Sequence, residues 1–338
     1  MALGGFGPVS GHCSFPVAGR YLNRVTRHPA TVRPTPCPTR IPLDALPVLP
    51  PALPGERLSF DGLNCYRSGN GPPMLLVHSI NAAASAAEMR PLYERYAATH
   101  TVYALDLPGY GFSPREDRVY SPRLMTDALH TAARHIRALS GGAKVDGLAV
   151  SLGCEYLARA AAERPDDWRT VALVSPTGLN GRTPRRGEPC STRAVPGLYA
   201  TLSAPLWSRW LFRQLTRPGV IRYFLERTWG GKNIDETMWA YDVLTTRQPG
   251  ARFAPLYFLS GGLFSADIHT VYEAIPHPVW VSHGVRGDFT NYTGMDRVTG
   301  GGNWTLTVFQ TGAMPYFEVP EAFGAAFDAF LQSPAAAK

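Results

Sequence analysis

The stretch Lys144-Val-Asp-Gly-Leu-Ala-Val-Ser-Leu-Gly-Cys-Glu-Tyr-Leu-Ala-Arg-Ala-Ala-Ala-Glu-Arg164 decides the fold. Val145, Leu148 and Val150 are apolar, in a run too short for a helix and bounded by Gly141-Gly142, which predicts a buried strand. From Leu152 to Arg164, Leu, Tyr and Ala recur at helical spacing and the pattern stops at Pro165, so a helix follows at once. Between strand and helix lies Ala149-Val150-Ser151-Leu152-Gly153, a Gly-x-Ser-x-Gly pattern with Ala in first place. Small residues at 149 and 153 let the backbone turn sharply and lift the Ser151 hydroxyl above the sheet. The helix N-terminus behind it supplies N–H groups and a positive dipole end for an anionic oxygen. This is the pattern of a nucleophile elbow.

Outward from that stretch, residues 57–67 read as two strands about Asp61-Gly62, a hairpin signal. Buried strands are predicted at 73–78, 101–106 and 170–175, and helices at 86–99 and 121–140. Strands alternating with helices imply an α/β protein whose mostly parallel central sheet is flanked by helices. Residues 179–252 break the alternation. They hold four of the seven tryptophans (Trp207, Trp210, Trp229 and Trp239) and helical pieces cut by Pro196, Pro205 and Pro218. Strands at 279–283 and 305–309 and a helix at 320–331 restore it. The expected organisation is a Pro/Arg-rich, poorly ordered arm over 1–54, a first core segment over 55–178, a helical insert over 179–252 and a second core segment over 253–334.

With 338 residues, 45% of them hydrophobic, the chain can bury one large core, and no apolar run approaches the roughly 18–20 residues of a membrane span. The net charge of +7 suits an anionic surface, yet no nucleic-acid-binding module accompanies it. Cys13, Cys37, Cys65, Cys154 and Cys190 are odd in number and lack metal spacing, which fits reduced thiols and a cytoplasmic location. Cys154 reads as a small buried hydrophobe. The basic N-terminus has the character of a targeting segment or a draped arm, without the apolar stretch of a secretory signal. No metal-binding or dinucleotide-binding motif is present, so neither a metal nor a cofactor is expected.

Several pieces together resemble the α/β-hydrolase fold superfamily, over roughly residues 57–332. Asp106-Leu-Pro-Gly-Tyr-Gly-Phe-Ser113 is similar to that family's Asp-x-Pro-Gly-x-Gly-x-Ser turn after its fourth strand, the most specific match. His78-Ser79-Ile80 stands where the family has His-Gly-x, with Ser79 in place of glycine. The resemblance implies an oxyanion hole from the N–H groups of Ile80 and Leu152, and a helical cap inserted after the sixth core strand. His283-Gly-Val-Arg-Gly-Asp288 looks like the family's acid loop, which implies that Asp288 is the triad acid, while His283 reads as structural. Where the family reads Gly-His-x-Pro-x-x-Glu-x-Pro, this chain has Gly312-Ala313-Met-Pro-Tyr-Phe-Glu-Val-Pro320, and no histidine follows His283. Ala313 therefore occupies the position of the catalytic histidine.

A serine hydroxyl is a poor nucleophile until a neighbour takes its proton. Three readings follow. The chain could be a hydrolase-like enzyme with an ester or acyl site, Ser151 and an oxyanion hole, acting weakly or by non-standard chemistry on an apolar carbonyl-containing substrate. It could be a non-catalytic pseudo-hydrolase that binds a ligand or partner. It could also be a serine esterase inactivated by an engineered histidine-to-alanine change at 313. The expected pocket draws on His78, Ser79, Trp207, Trp210 and Trp239, with His78 either holding its loop or serving as a catalytic group. The arginines around residues 206–215 give either an ordinary solvated face or a basic amphipathic surface for peripheral membrane or lipid contact.

Overall fold

Asp61 and Gly62 both take positive φ, 53° and 91°, which closes a two-residue turn between strands Glu56–Phe60 (β2) and Leu63–Ser68 (β3). The structure, a computed structural model, describes residues 27–28, 48–181, 184–298 and 302–333. Within them a two-residue strand, Arg27–His28 (β1), pairs antiparallel with β2. The sheet continues through Pro73–Val77 (β4), Thr101–Leu105 (β5), Val145–Val150 (β6), Trp168–Val174 (β7), Val279–Gly284 (β8) and Trp304–Phe309 (β9). Its order is β1-β2-β3-β5-β4-β6-β7-β8-β9, antiparallel up to β3–β5 and parallel from there on. β1 shifts the strand numbering by one, so the sixth core strand of the sequence is β7.

Every residue of β4, β5 and β6 is buried, because helices cover both faces of the sheet. One face carries Pro122–Leu139 (α2) and Gly153–Glu163 (α3), which pack side by side. The other carries Arg90–Tyr96 (α1), Pro315–Glu318 (α10) and Pro320–Leu331 (α11), where Trp280 of β8 lies against Phe323, Phe327 and Phe330. The helix expected over 86–99 is instead a 3-10 turn, Ala86–Met89, followed by α1. Pro91 has no N–H to return to Ala87, so an α-helical ladder cannot run through it.

Between β7 and β8 the insert forms Leu198–Ser203 (α4), Ser208–Leu215 (α5), Pro218–Trp229 (α6), Glu236–Thr245 (α7), Phe253–Leu259 (α8) and Ile268–Glu273 (α9). The cap boundary expected at residue 252 falls short. In α8, Tyr257 stacks on Tyr199 of α4 with ring centroids 3.7 Å apart, so the covering layer runs on to Leu259. α9 packs against α3 of the core, and α7 also touches the Ala86–Met89 turn.

The arm expected over 1–54 lies mostly outside the described residues, but its last residues are docked. Leu49 and Leu53 are buried, the Tyr241 hydroxyl donates to Pro50 O, and Tyr93 donates to Pro54 O. Apolar anchors at 49 and 53 within a proline-rich run explain why this end holds to the domain.

Candidate active site

Ser151 stands at the end of β6 with φ of 54°, in the left-handed region that costs a non-glycine residue about 1–2 kcal/mol. The surroundings hold it there: its N–H donates to Val174 O at 2.9 Å and its carbonyl accepts from Cys154 N at 3.2 Å. Gly153 is required for the same reason, since a Cβ there would lie 2.5 Å from His78 O. Cys154 is buried with its Sγ toward Ala149 O, and burial pushes its thiol well above the usual range. It packs and does not react. Ser151 thus sits on a sharp strand-to-helix turn, the backbone that the small residues at 149 and 153 lead one to expect.

The loop after β4 is fixed by Asp106. Its Oδ1 accepts from Ala86 N at 2.9 Å, and its Oδ2 from Asn64 Nδ2 at 2.8 Å and Phe112 N at 2.9 Å. Leu107 N donates to His78 Nε2 at 3.0 Å, which leaves Nδ1 to carry the proton and donate to Ser79 O at 2.6 Å. Both imidazole nitrogens are therefore committed to backbone, and His78 does not line the cavity beside Ser151. Its role is to hold the loop. Ser79 does line the cavity, and its φ is not positive, so nothing in the backbone there demands glycine. Its N–H and hydroxyl donate to the two carboxyl oxygens of Glu88 at 2.7 and 2.9 Å, and Asn81 Nδ2 adds a third donor at 3.0 Å. Burial raises the Glu88 carboxyl above its ordinary pKa, and these donors oppose that shift.

A cavity of about 380 Å³ lies between this layer and the cap. Ser151, Ile80, Leu152, Asp288 and Ala313 all line it, so the serine turn, both expected oxyanion-hole residues, the expected acid and the position expected for a histidine meet in one cavity. Ala313 is pinned on both sides: its N–H donates to Thr228 O at 2.9 Å and its carbonyl accepts from Ser175 Oγ at 2.7 Å. Asp288 is engaged elsewhere. The Arg227 guanidinium of α6 binds its two carboxylate oxygens in a fork, each at 2.5 Å, where a triad would offer an imidazole. Among the described residues no histidine lines the cavity. His283 bonds Gly284 O through Nδ1 and stacks on Tyr292 with ring centroids 3.9 Å apart, contacts in keeping with a packing part.

The rest of the lining is mostly aliphatic and aromatic, with Phe212, Leu215, Ile221, Leu225, Met238 and Phe258 from the cap. Trp207, Trp210 and Trp239 do not reach it. On α5, Phe212 and Leu215 share the inward face at helical spacing, which turns Trp210 outward to 64% exposure. Trp207 is 43% exposed and ties its indole to Thr201 O, while Trp239 ties its own to Pro218 O beneath Arg222. Sequence reasoning also missed Asp242 of α7, a buried carboxyl on the cavity wall. An acid at the second residue of Tyr241-Asp242-Val243, amid an apolar helix, was the available signal.

Comparison with known proteins bears on this arrangement. The model of a family described as "Alpha/beta hydrolase family" matches residues 74–326. No curated protein matches the chain significantly. Among solved structures, 2-hydroxy-6-oxo-6-phenylhexa-2,4-dienoate hydrolase from a Rhodococcus strain superposes with a TM-score of 0.63 at 18% identity, over 82% of this chain and 95% of that one. The enol-lactonase from Burkholderia xenovorans gives 0.62 at 14% identity, over 82% and 100%. A probable hydrolytic enzyme from Pseudomonas aeruginosa gives 0.61 at 18% identity, over 82% and 91%. At such identities the likeness speaks for the fold.

Proposed function

Since the chain belongs to the alpha/beta hydrolase family, we propose that it keeps that family's cavity for an apolar, carbonyl-bearing ligand while lacking the base for fast acyl transfer. The observation that carries this reading is the composition of the cavity lining. Ser151, Ile80, Leu152 and Asp288 face a shared cavity in which Ala313 stands for histidine and Arg227 holds the acid. A carbonyl oxygen could accept from the Ile80 and Leu152 N–H groups, an arrangement that still stabilises developing negative charge. Removing a triad member costs roughly 10⁴–10⁶ in rate, so any ester turnover is residual. The chain is in this reading a ligand-binding hydrolase homologue with at most slow chemistry at Ser151.

The test is binding of a medium-chain methyl ketone, measured by displacement of an apolar fluorescent probe. Leu225→Trp, which fills the cavity from α6, is expected to weaken binding more than tenfold while leaving the fold intact. Equal affinity in this variant would remove the cavity from the account.

A second reading concerns how such a ligand arrives. Leu206 is 90% exposed and Trp210 64% on the outer side of the cap, beside Arg209 and Arg213, while Phe224, Leu259 and Phe289 are exposed yet also line the cavity. Exposed apolar side chains beside arginines on the cap, together with exposed residues of the cavity lining, favour peripheral contact with an anionic lipid surface. Among the described residues no helix is long and apolar enough to cross a membrane. Co-sedimentation with phosphatidylserine-containing vesicles, reduced severalfold by Leu206→Ser with Trp210→Ser, is the expected result. Sedimentation that is equal with neutral vesicles, or unchanged in the variant, would count against it.

A further inference from the structure

Asp242 is the acid of the cavity that the family arrangement does not use. It sits on α7 with 2% exposure, lines the cavity, and its Oδ1 is buried with no hydrogen-bond partner among the described residues. A buried polar atom is ordinarily paired, and leaving one unmade costs on the order of 1–3 kcal/mol. The contrast with Glu88 is informative, because three donors converge on that carboxyl group and, among the described residues, none is directed at Asp242 Oδ1. Among the described residues no Lys, Arg or His lines the cavity to balance a charge at Asp242. An ionised carboxylate without donors in apolar surroundings is far costlier than a neutral acid.

We propose that Asp242 is the polar anchor of the cavity: a neutral carboxylic acid that donates a hydrogen bond to an uncharged oxygen acceptor, such as a ketone, ester or ether oxygen, on the bound ligand. This rests on the apolar-ligand reading above and narrows it to an uncharged, oxygen-bearing amphiphile. Burial pushes the Asp242 carboxyl well above the usual carboxylate range, and the nearby carboxyls of Glu88 and Asp235 push in the same direction. Arg90 is not available to it, since that guanidinium is bound to Asp235 at 2.8 Å. The acid proton is therefore free to serve a ligand.

The experiment compares 2-octanone, n-nonane and n-octylamine, which are matched in number of heavy atoms, by displacement of an apolar fluorescent probe. The ketone-to-alkane affinity ratio of the native chain is expected to exceed that of a cavity without the acid by about tenfold, the value of one net hydrogen bond, and this excess is its preference for the ketone. Asp242→Leu, which conserves volume and removes the unpaired group, is expected to erase that preference while the alkane binds at least as well as before. Asp242→Asn keeps a donor and is expected to retain most of it. A ketone preference that survives in Asp242→Leu would overturn the assignment and leave the cavity reading standing. Tighter binding of the amine than of the ketone would also overturn it, by showing an ionised carboxylate that takes a cation. Failure of all three probes to bind the native chain would overturn the cavity reading and this proposal together.

Discussion

Ala313→His combined with Arg227→Gln is expected to raise Ser151-dependent hydrolysis of activated acyl esters by at least about a hundredfold. Position 313 is held by Thr228 O and Ser175 Oγ, so a side chain placed there projects from a fixed backbone into the cavity that Ser151 lines. The second change is needed because Asp288 is occupied. While the Arg227 fork remains, a new imidazole has no carboxylate to orient it, and Ala313→His alone is expected to gain no more than about tenfold. Arg227→Gln costs little stability, since the pair is solvent-exposed and such pairs contribute about 0–1 kcal/mol. Initial rates on short-chain nitrophenyl esters, with Ser151→Ala in each background, measure the gain. A gain that persists without Ser151 would come from the imidazole itself and would count against the site.

Asp106→Ala is expected to destabilise the chain by about 4 kcal/mol and lower its melting temperature by about 10 °C. The substitution strips the acceptor from Ala86 N, Phe112 N and Asn64 Nδ2, three buried or half-buried donors, at about 1–3 kcal/mol each before relaxation. The damage spreads to the site through Leu107 N, whose hydrogen bond to His78 fixes the tautomer that holds Ser79. Asp106→Asn is expected to recover only part of the loss, because its amide nitrogen would point donors at donors. Denaturant unfolding of the three proteins checks the order. Equal midpoints for Asp106→Ala and the native chain would show that the loop does not depend on this carboxylate.

The sequence and the structure agree best where structure is set locally. The strand before Ser151, the positive-φ serine and the tight approach at Gly153 follow from a few adjacent residues, and each is found in place. Ser151, Ile80, Leu152, Asp288 and Ala313 come from four separate loops, yet they could be foreseen because each loop carries a short motif that resembles the family's own. The cap behaved differently. Its tryptophans invited placement in the pocket, but how a short helix such as α5 is rotated depends on what packs beneath it, and Phe212 and Leu215 won the inward face. The pairing of Arg227 with Asp288 and the burial of Asp242 have the same origin. Both are contacts between the insert and the core, brought together by a fold whose cap orientation no single stretch of sequence encodes.

The absence of a working base beside Ser151 is tested by the pH dependence of its phosphonylation by an alkyl fluorophosphonate, followed by intact mass. Slow labelling of the native chain is expected, rising with hydroxide and without an inflection between about pH 6 and 8, where an unperturbed histidine titrates. Rapid labelling with an inflection in that range would reveal a working base beside Ser151 and contradict the central claim.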